Sequence, residues 1–227
     1  MRLVTACGPA ASGKTSVLLH TLAALKSSGF SVGVVKFDCL ATSDDEAYRR
    51  RGIPVQVGLA GGLCPDHYFG ANITECIEWG RERGLDFLFS ESAGLCNRCS
   101  PHIRGQYALC VIDNLMGADA PKKIGPMLKT ANTVLITKGD IVSQAEREVY
   151  AFQVRMVNPR CEILPVNGIT GQGCDALARL LQEKAEPLGD DTELRFPMPA
   201  ALCSYCLGET RLEKELRFGN HRGIVIR

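Results

Sequence analysis

The chain has 227 residues, eleven cysteines and a formal net charge of +1. That length suits one α/β domain with a full core and a small appendage, and the near-neutral charge gives no electrostatic basis for binding nucleic acid. No run of about eighteen apolar residues occurs and no signal peptide precedes the first strand-like run, so the chain reads as cytoplasmic, without a membrane segment.

Residues 3–7 fit a buried strand. They run into Gly8-Pro9-Ala10-Ala11-Ser12-Gly13-Lys14-Thr15-Ser16, and residues 17–25 follow as a helix. Gly-x-x-x-x-Gly-Lys-Thr between a strand and a helix is a P-loop. Gly8 and Gly13 let backbone N–H groups wrap a phosphate, with Ala11, Ser12 and Ser16 completing the cradle at the positive end of the helix. Lys14 is placed to reach the outer phosphates, and the Thr15 hydroxyl to bind Mg²⁺.

Residues 31–37 read as a second strand that delivers Asp38 at its C-terminal end, where doubly wound sheets bind their ligands. Asp38 is therefore a candidate Mg²⁺ or water-positioning carboxylate. Asp44, Asp45 and Glu46 begin a helix, and Arg49, Arg50 and Arg51 form its solvated end. A short strand at 54–57 leads into a glycine-rich loop at 58–67. Its Cys64 and His67 put a thiolate and an imidazole within reach of one soft or borderline cation. A symmetric dimer would double that ligand set.

The next helix is expected over 72–83, ended by Gly84, and the next strand over 85–91. Glu91 at its end suits a carboxylate near Mg²⁺, with Gly94 freeing the following segment to sense a γ-phosphate. That segment carries Cys96 and Cys99, a Cys-x-x-Cys turn that suits a metal or an Fe–S cluster, with a redox dithiol as the other reading.

Strands at 107–113 and 133–136 follow. The second ends in Thr137-Lys138-Gly139-Asp140, where the Asp140 carboxylate is suited to the two N–H donors of a guanine edge. Ser143 and Glu146 form a capping box for a helix to about residue 157. A strand at 161–166 leads to Asn167 and Gly168 in a loop against the base, and a helix over 175–186 closes the domain. This alternation gives an α/β fold with a mainly parallel sheet. Cys7, Cys110 and Cys161 sit in apolar strand-like runs and read as packing residues.

The boundary falls after residue 187. Residues 188–227 form a short extension carrying Cys203 and Cys206, too small for its own core and suited to a metal staple. Its cysteines would either complete a four-thiolate site with Cys96 and Cys99 or form a site with His221.

Taken together, these motifs resemble the dimeric metal-centre maturation GTPases of the HypB and UreG type, in the SIMIBI class of P-loop proteins. The likeness spans about residues 1 to 185. It rests on the P-loop, Phe37-Asp38 followed by Asp44, the segment from Gly61 to His67, Phe89-Ser90-Glu91-Ser92-Ala93-Gly94, the HypB-like stretch from Ala118 to Met127, and Thr137-Lys138-Gly139-Asp140. The resemblance implies a homodimer that binds GTP and Mg²⁺ and holds nickel or zinc at Cys64 and His67. It also implies a client metalloenzyme or a second metallochaperone as partner. Three features depart from the family: an extra residue on either side of Pro65 relative to UreG, Thr137 where Asn is usual, and the two Cys-x-x-Cys pairs. The pairs leave a second reading, a nucleotide-driven electron donor whose Cys96 and Cys99 bridge a [4Fe–4S] cluster across a dimer. A small-molecule kinase is a third, against which the guanine motif argues.

Overall fold

Five short segments are buried along nearly their whole length and two flanking ones only in part, as the inner and edge strands of a sheet covered on both sides require. In the computed structural model, which describes residues 1–189, 193–198, 204–219 and 222–226, they are β1 (Arg2–Cys7), β2 (Val32–Asp38), β3 (Val55–Leu59), β4 (Phe87–Ser92), β5 (Tyr107–Asp113), β6 (Thr133–Thr137) and β7 (Glu162–Pro165). Every pairing is parallel and the order is β3-β2-β4-β1-β5-β6-β7. The chain steps outward from β1 to β2, returns through β4, and crosses to β5. The crevice at the carboxyl ends of these strands is where such a sheet binds ligands.

Alternation along the strands sorts side chains to two faces. Val4, Ala6, Val34, Phe89 and Val111 pack against α1 (Lys14–Ser27) and α7 (Cys174–Lys184). On the opposite face Leu3, Val35, Phe37 and Leu88 meet α3 (Pro65–Glu82), and Cys7, Cys110, Ile112 and Val134 meet α4 (Ala120–Ile124), α5 (Pro126–Lys129) and α6 (Gln144–Val157). Cys7 and Cys110 are fully buried packing residues, as expected, whereas Cys161 is half-buried and donates to the Asn158 carbonyl. α2 (Asp44–Arg50) begins with its three acidic residues, and Arg50 closes back on Glu46 at 2.7 Å. The Ser143–Glu146 capping box is formed.

The expected loop over 58–67 and helix from 72 are corrected. α3 starts at Pro65, whose fixed φ suits a first helical position, and Cys64 is its extended N-cap. Tyr68 and Phe69 then join the apolar side of the same helix, so the glycine-rich segment ends before Cys64 and His67.

The described part of the extension is held by the domain's own core. Leu194, Met198, Tyr205 and Leu212 pack against α3. Asn72 bonds the backbone of Arg222 and Ile224 at 2.8 and 2.6 Å, and Arg195 donates to the carbonyls of Ile103, Thr130 and Gln106. Cys203 and His221 lie outside the described residues, as does the Cys206 side chain. Among the described residues no helix is long and apolar enough to cross a membrane.

Candidate functional site

The end of β1, the P-loop and the start of α1 enclose a cavity of about 480 Å³ with Lys36, Asp38, Asp44, Glu91, Ala93 and Leu95. Two glycines give it its shape. Gly8 has φ +141°, and a Cβ there would overlap the Val111 carbonyl oxygen; Gly94 has φ +73°, and a Cβ there would overlap the Gly8 carbonyl oxygen. Residues 92–94 are thus closed directly on the P-loop. Lys14 folds back to donate to the carbonyls of Gly8 and Pro9, both at 2.9 Å, and burial lowers its pKa. These are neutral acceptors that a phosphate oxygen would outcompete. The Ser12 hydroxyl is buried without a partner among the described residues, which fits a ligand that supplies the missing bond.

Beside the cradle stands a charge cluster in which Lys36 and Glu91 are buried and Asp44 is half-buried. The Thr15 hydroxyl lies 2.6 Å from Glu91 Oε1 and 3.0 Å from Asp44 Oδ2. The Lys36 ammonium lies 2.8 and 2.7 Å from the same two carboxylates, and the Tyr48 hydroxyl donates to the other Glu91 oxygen. A hydroxyl and two carboxylates around one cation are the donor set that Mg²⁺ takes, so these residues fit that ion. Asp38, expected in this role, lines the same cavity, with one carboxylate oxygen accepting from the Cys39 N–H. Asp44 stands beside it, brought over Thr15 by α2. Lys36 and Tyr48 were missed in the sequence. The available signal was a lysine inside the otherwise apolar run of β2.

At the end of β6, Thr137 is buried and donates to the Ser12 carbonyl at 2.8 Å, so it braces the P-loop although it is not Asn. Lys138 reaches over the loop to the Ala11 carbonyl and pairs with Asp113, each at 3.0 Å. Asp140 stands exposed in the turn after β6, beside Asn167 in a second cavity. The Asn167 side-chain oxygen is committed to its own loop, accepting from Ile169 and Thr170, while Gly168 lies against Ser16.

The cysteines expected in separate elements converge. Cys99 Sγ lies 3.8 Å from Cys96 Sγ and 3.9 Å from His67 Nε2, and one ligand atom each from Cys64, Asp66 and Cys99 falls within 4.8 Å of the others. α3 supplies Cys64, Asp66 and His67 from its N-terminus; the segment after β4 supplies Cys96 and Cys99. The bond from the Cys99 thiol brings Cys64 down to about 7, despite burial, with help from the N–H groups of the helix start. Cys99 itself is pushed up, and burial lowers His67, which keeps the imidazole neutral and able to ligate. Two thiols and a neutral imidazole suit a borderline cation such as zinc or nickel.

Asp66 joins the two regions. It is buried, its pKa is raised to about 6 by that burial, and Ser92 Oγ donates to it at 2.5 Å. Ser92 follows Glu91 directly, so the charge cluster and the cysteine cluster are separated by one residue of β4.

A family model described as CobW/HypB/UreG, nucleotide-binding domain, matches residues 3–165. An uncharacterized protein of Methanocaldococcus jannaschii is 45% identical over 228 residues, covering 100% of this chain and 96% of its own. A urease accessory protein UreG 2 of a Bradyrhizobium species is 30% identical over 194 residues, covering 78% of this chain and 88% of its own. The crystal structure of HypB from Helicobacter pylori in complex with nickel shares the fold, with a TM-score of 0.65 at 18% identity, covering 83% of this chain and 91% of that one.

Proposed function

This chain belongs to the CobW/HypB/UreG nucleotide-binding family, and from that premise we propose that it is a GTP-dependent metallochaperone, a slow, switch-like GTPase. In this reading it carries a transition-metal ion, nickel or zinc, on Cys64, His67 and Cys99 with Cys96 at the rim, and delivers it to a client metalloenzyme or a second metallochaperone. The observation that carries the reading is the adjacency of the two clusters through Ser92 and Asp66.

Lys14 and the P-loop N–H groups hold the phosphates, and Thr15, Asp44 and Glu91 would hold Mg²⁺, which neutralises phosphate charge when bound. Asp140 reads the guanine edge and Lys138 covers the P-loop beside it. Nucleotide between Gly94 and the cradle changes the position of residues 92–94, and with it the Asp66 carboxylate that backs the metal ligands. The metal is cargo, and a second copy of the chain closes the cysteine face. Cys64 and His67 standing beside Cys99 within one chain favours a single ion over a cluster shared between subunits.

The test is zinc and nickel binding by competition with a chromophoric chelator, with GDP and with a non-hydrolysable GTP analogue. Cys64→Ser is expected to weaken binding by at least about 100-fold. Equal metal affinity in every nucleotide state, or full retention in Cys64→Ser, would sink the reading. Iron with acid-labile sulfide in protein purified without oxygen would move it to the electron-donor alternative.

A further inference from the structure

Lys36 is no part of the P-loop, yet its side chain ends inside the nucleotide cavity. β2 and β4 lie side by side with Lys36 level with Glu91, which carries the ammonium to Glu91 Oε1 at 2.8 Å and Asp44 Oδ2 at 2.7 Å. Thr15 Oγ1 is 3.5 Å away and touches the same two carboxylate oxygens. Lys36 is 3% exposed and Glu91 0%, so neither charge can be left to water. Burial works against the ammonium, but the two carboxylates that face it, Glu91 and Asp44, favour the charged form. It is therefore a full positive charge ringed by the three groups that fit Mg²⁺.

We propose that Lys36 is a resident counter-ion that occupies the Mg²⁺ position between nucleotide cycles, holding Asp44 and Glu91 together and excluding free divalent cations until Mg²⁺ arrives with a nucleotide. This rests on reading the cavity as a nucleotide site. The electrostatics follow from charge counting. Two carboxylates and one ammonium leave a single negative charge, and a divalent ion entering alone would be pressed against the ammonium at low effective dielectric. A nucleotide brings several negative charges with its Mg²⁺, which makes displacement of the ammonium favourable. The pair of carboxylates is thereby kept together in the empty protein, where the buried Glu91 anion and the half-buried Asp44 anion would repel each other.

The direct test is Mn²⁺ binding by electron paramagnetic resonance on nucleotide-free protein. The wild-type chain is expected to bind no Mn²⁺ at the cavity until GDP is added. Lys36→Met is expected to bind one Mn²⁺ per chain at least about tenfold more tightly than wild type without nucleotide, because the competing charge is gone. Lys36→Arg should keep the exclusion. Wild-type protein that takes up one tight Mn²⁺ without nucleotide overturns the proposal, and this arm needs no variant. A folded Lys36→Met that binds Mn²⁺ no better than wild type overturns it too. If that variant folds poorly, its melting temperature should rise with added Mg²⁺ while that of wild type does not, and the absence of such rescue counts against the proposal. Failure of the nucleotide reading looks different: wild-type protein would then bind no GDP, while Mn²⁺ exclusion, which needs no nucleotide, would still be measurable.

Discussion

The phosphate cradle and the cysteine cluster stand on two sides of the same segment, residues 91–99, and are built in different ways. The cradle is local: one strand end, one loop and one helix start, whose donors are mostly backbone N–H groups at the N-terminus of α1. The cysteine cluster is assembled from side chains of two distant segments, the N-terminus of α3 and the turn after β4. A backbone cradle is insensitive to most side-chain changes but fails when its one charged side chain or its close approaches are lost. A cluster of thiols and an imidazole should weaken ligand by ligand.

The sharpest way to separate the two is Lys14→Ala. Lys14 supplies the charge-assisted bonds of the cradle itself, so nucleotide affinity should fall by about 1,000-fold in calorimetry. Zinc affinity without nucleotide should stay as in wild type. If both fall together, the two regions are one cooperative unit and the cradle is not independent of the cysteines. Gly94→Ala attacks the seam between them. The new Cβ would collide with the Gly8 carbonyl at a φ of +73°, and the expected cost is about 3 kcal/mol in urea unfolding, with nucleotide binding impaired as well. A variant as stable as wild type would show that residues 92–94 do not close on the P-loop.

The same difference explains what could be read in advance. The P-loop and the capping box at Ser143 were legible because each is a pattern within a few consecutive residues, and the parallel sheet because strands and helices alternate along the chain. The meeting of Cys64 with Cys99 was not, because it depends on α3 beginning at Pro65 and on the segment after β4 passing its N-terminus. Asp44 was legible as a helix start but not as a partner of Thr15, since its position depends on where α2 docks. Lys36 was read as part of a strand, and its alternation into the cavity shows only once β2 is paired with β4. The extension looked too small to hold itself, and Leu194, Tyr205 and Leu212 show that it borrows α3 for its core.

His102 tests how firmly the floor beneath the cradle is set. Its imidazole is fully buried between Thr5, Cys7 and the Met127 carbonyl, and burial lowers its pKa to about 3. The unfolded chain takes up this proton below about pH 6.5, whereas the folded chain resists it until about pH 3. Stability should therefore fall as the pH drops through that window, by about 1.4 kcal/mol per pH unit, reaching about 2 kcal/mol at pH 5. His102→Gln should be less stable at pH 7 but show a flatter decline, measured by urea midpoints across the range. An unchanged slope would mean that another group titrates.

Ser92→Ala is the smallest change and the one aimed at the connection itself. The serine hydroxyl is the bond from β4 to the buried Asp66 carboxylate. Its loss should cost about 1 kcal/mol of stability and leave both nucleotide affinity and zinc affinity in the empty state within about threefold of wild type. What should shrink is the difference in zinc affinity between protein with a GTP analogue and protein without it, since the carboxylate behind the ligands would no longer follow β4. Ser92→Thr keeps the hydroxyl and should keep that difference. Coupling that survives Ser92→Ala intact would place the connection in the backbone of residues 92–99 and not in the Asp66 side chain, because then only the chain itself joins the cradle to the cysteines.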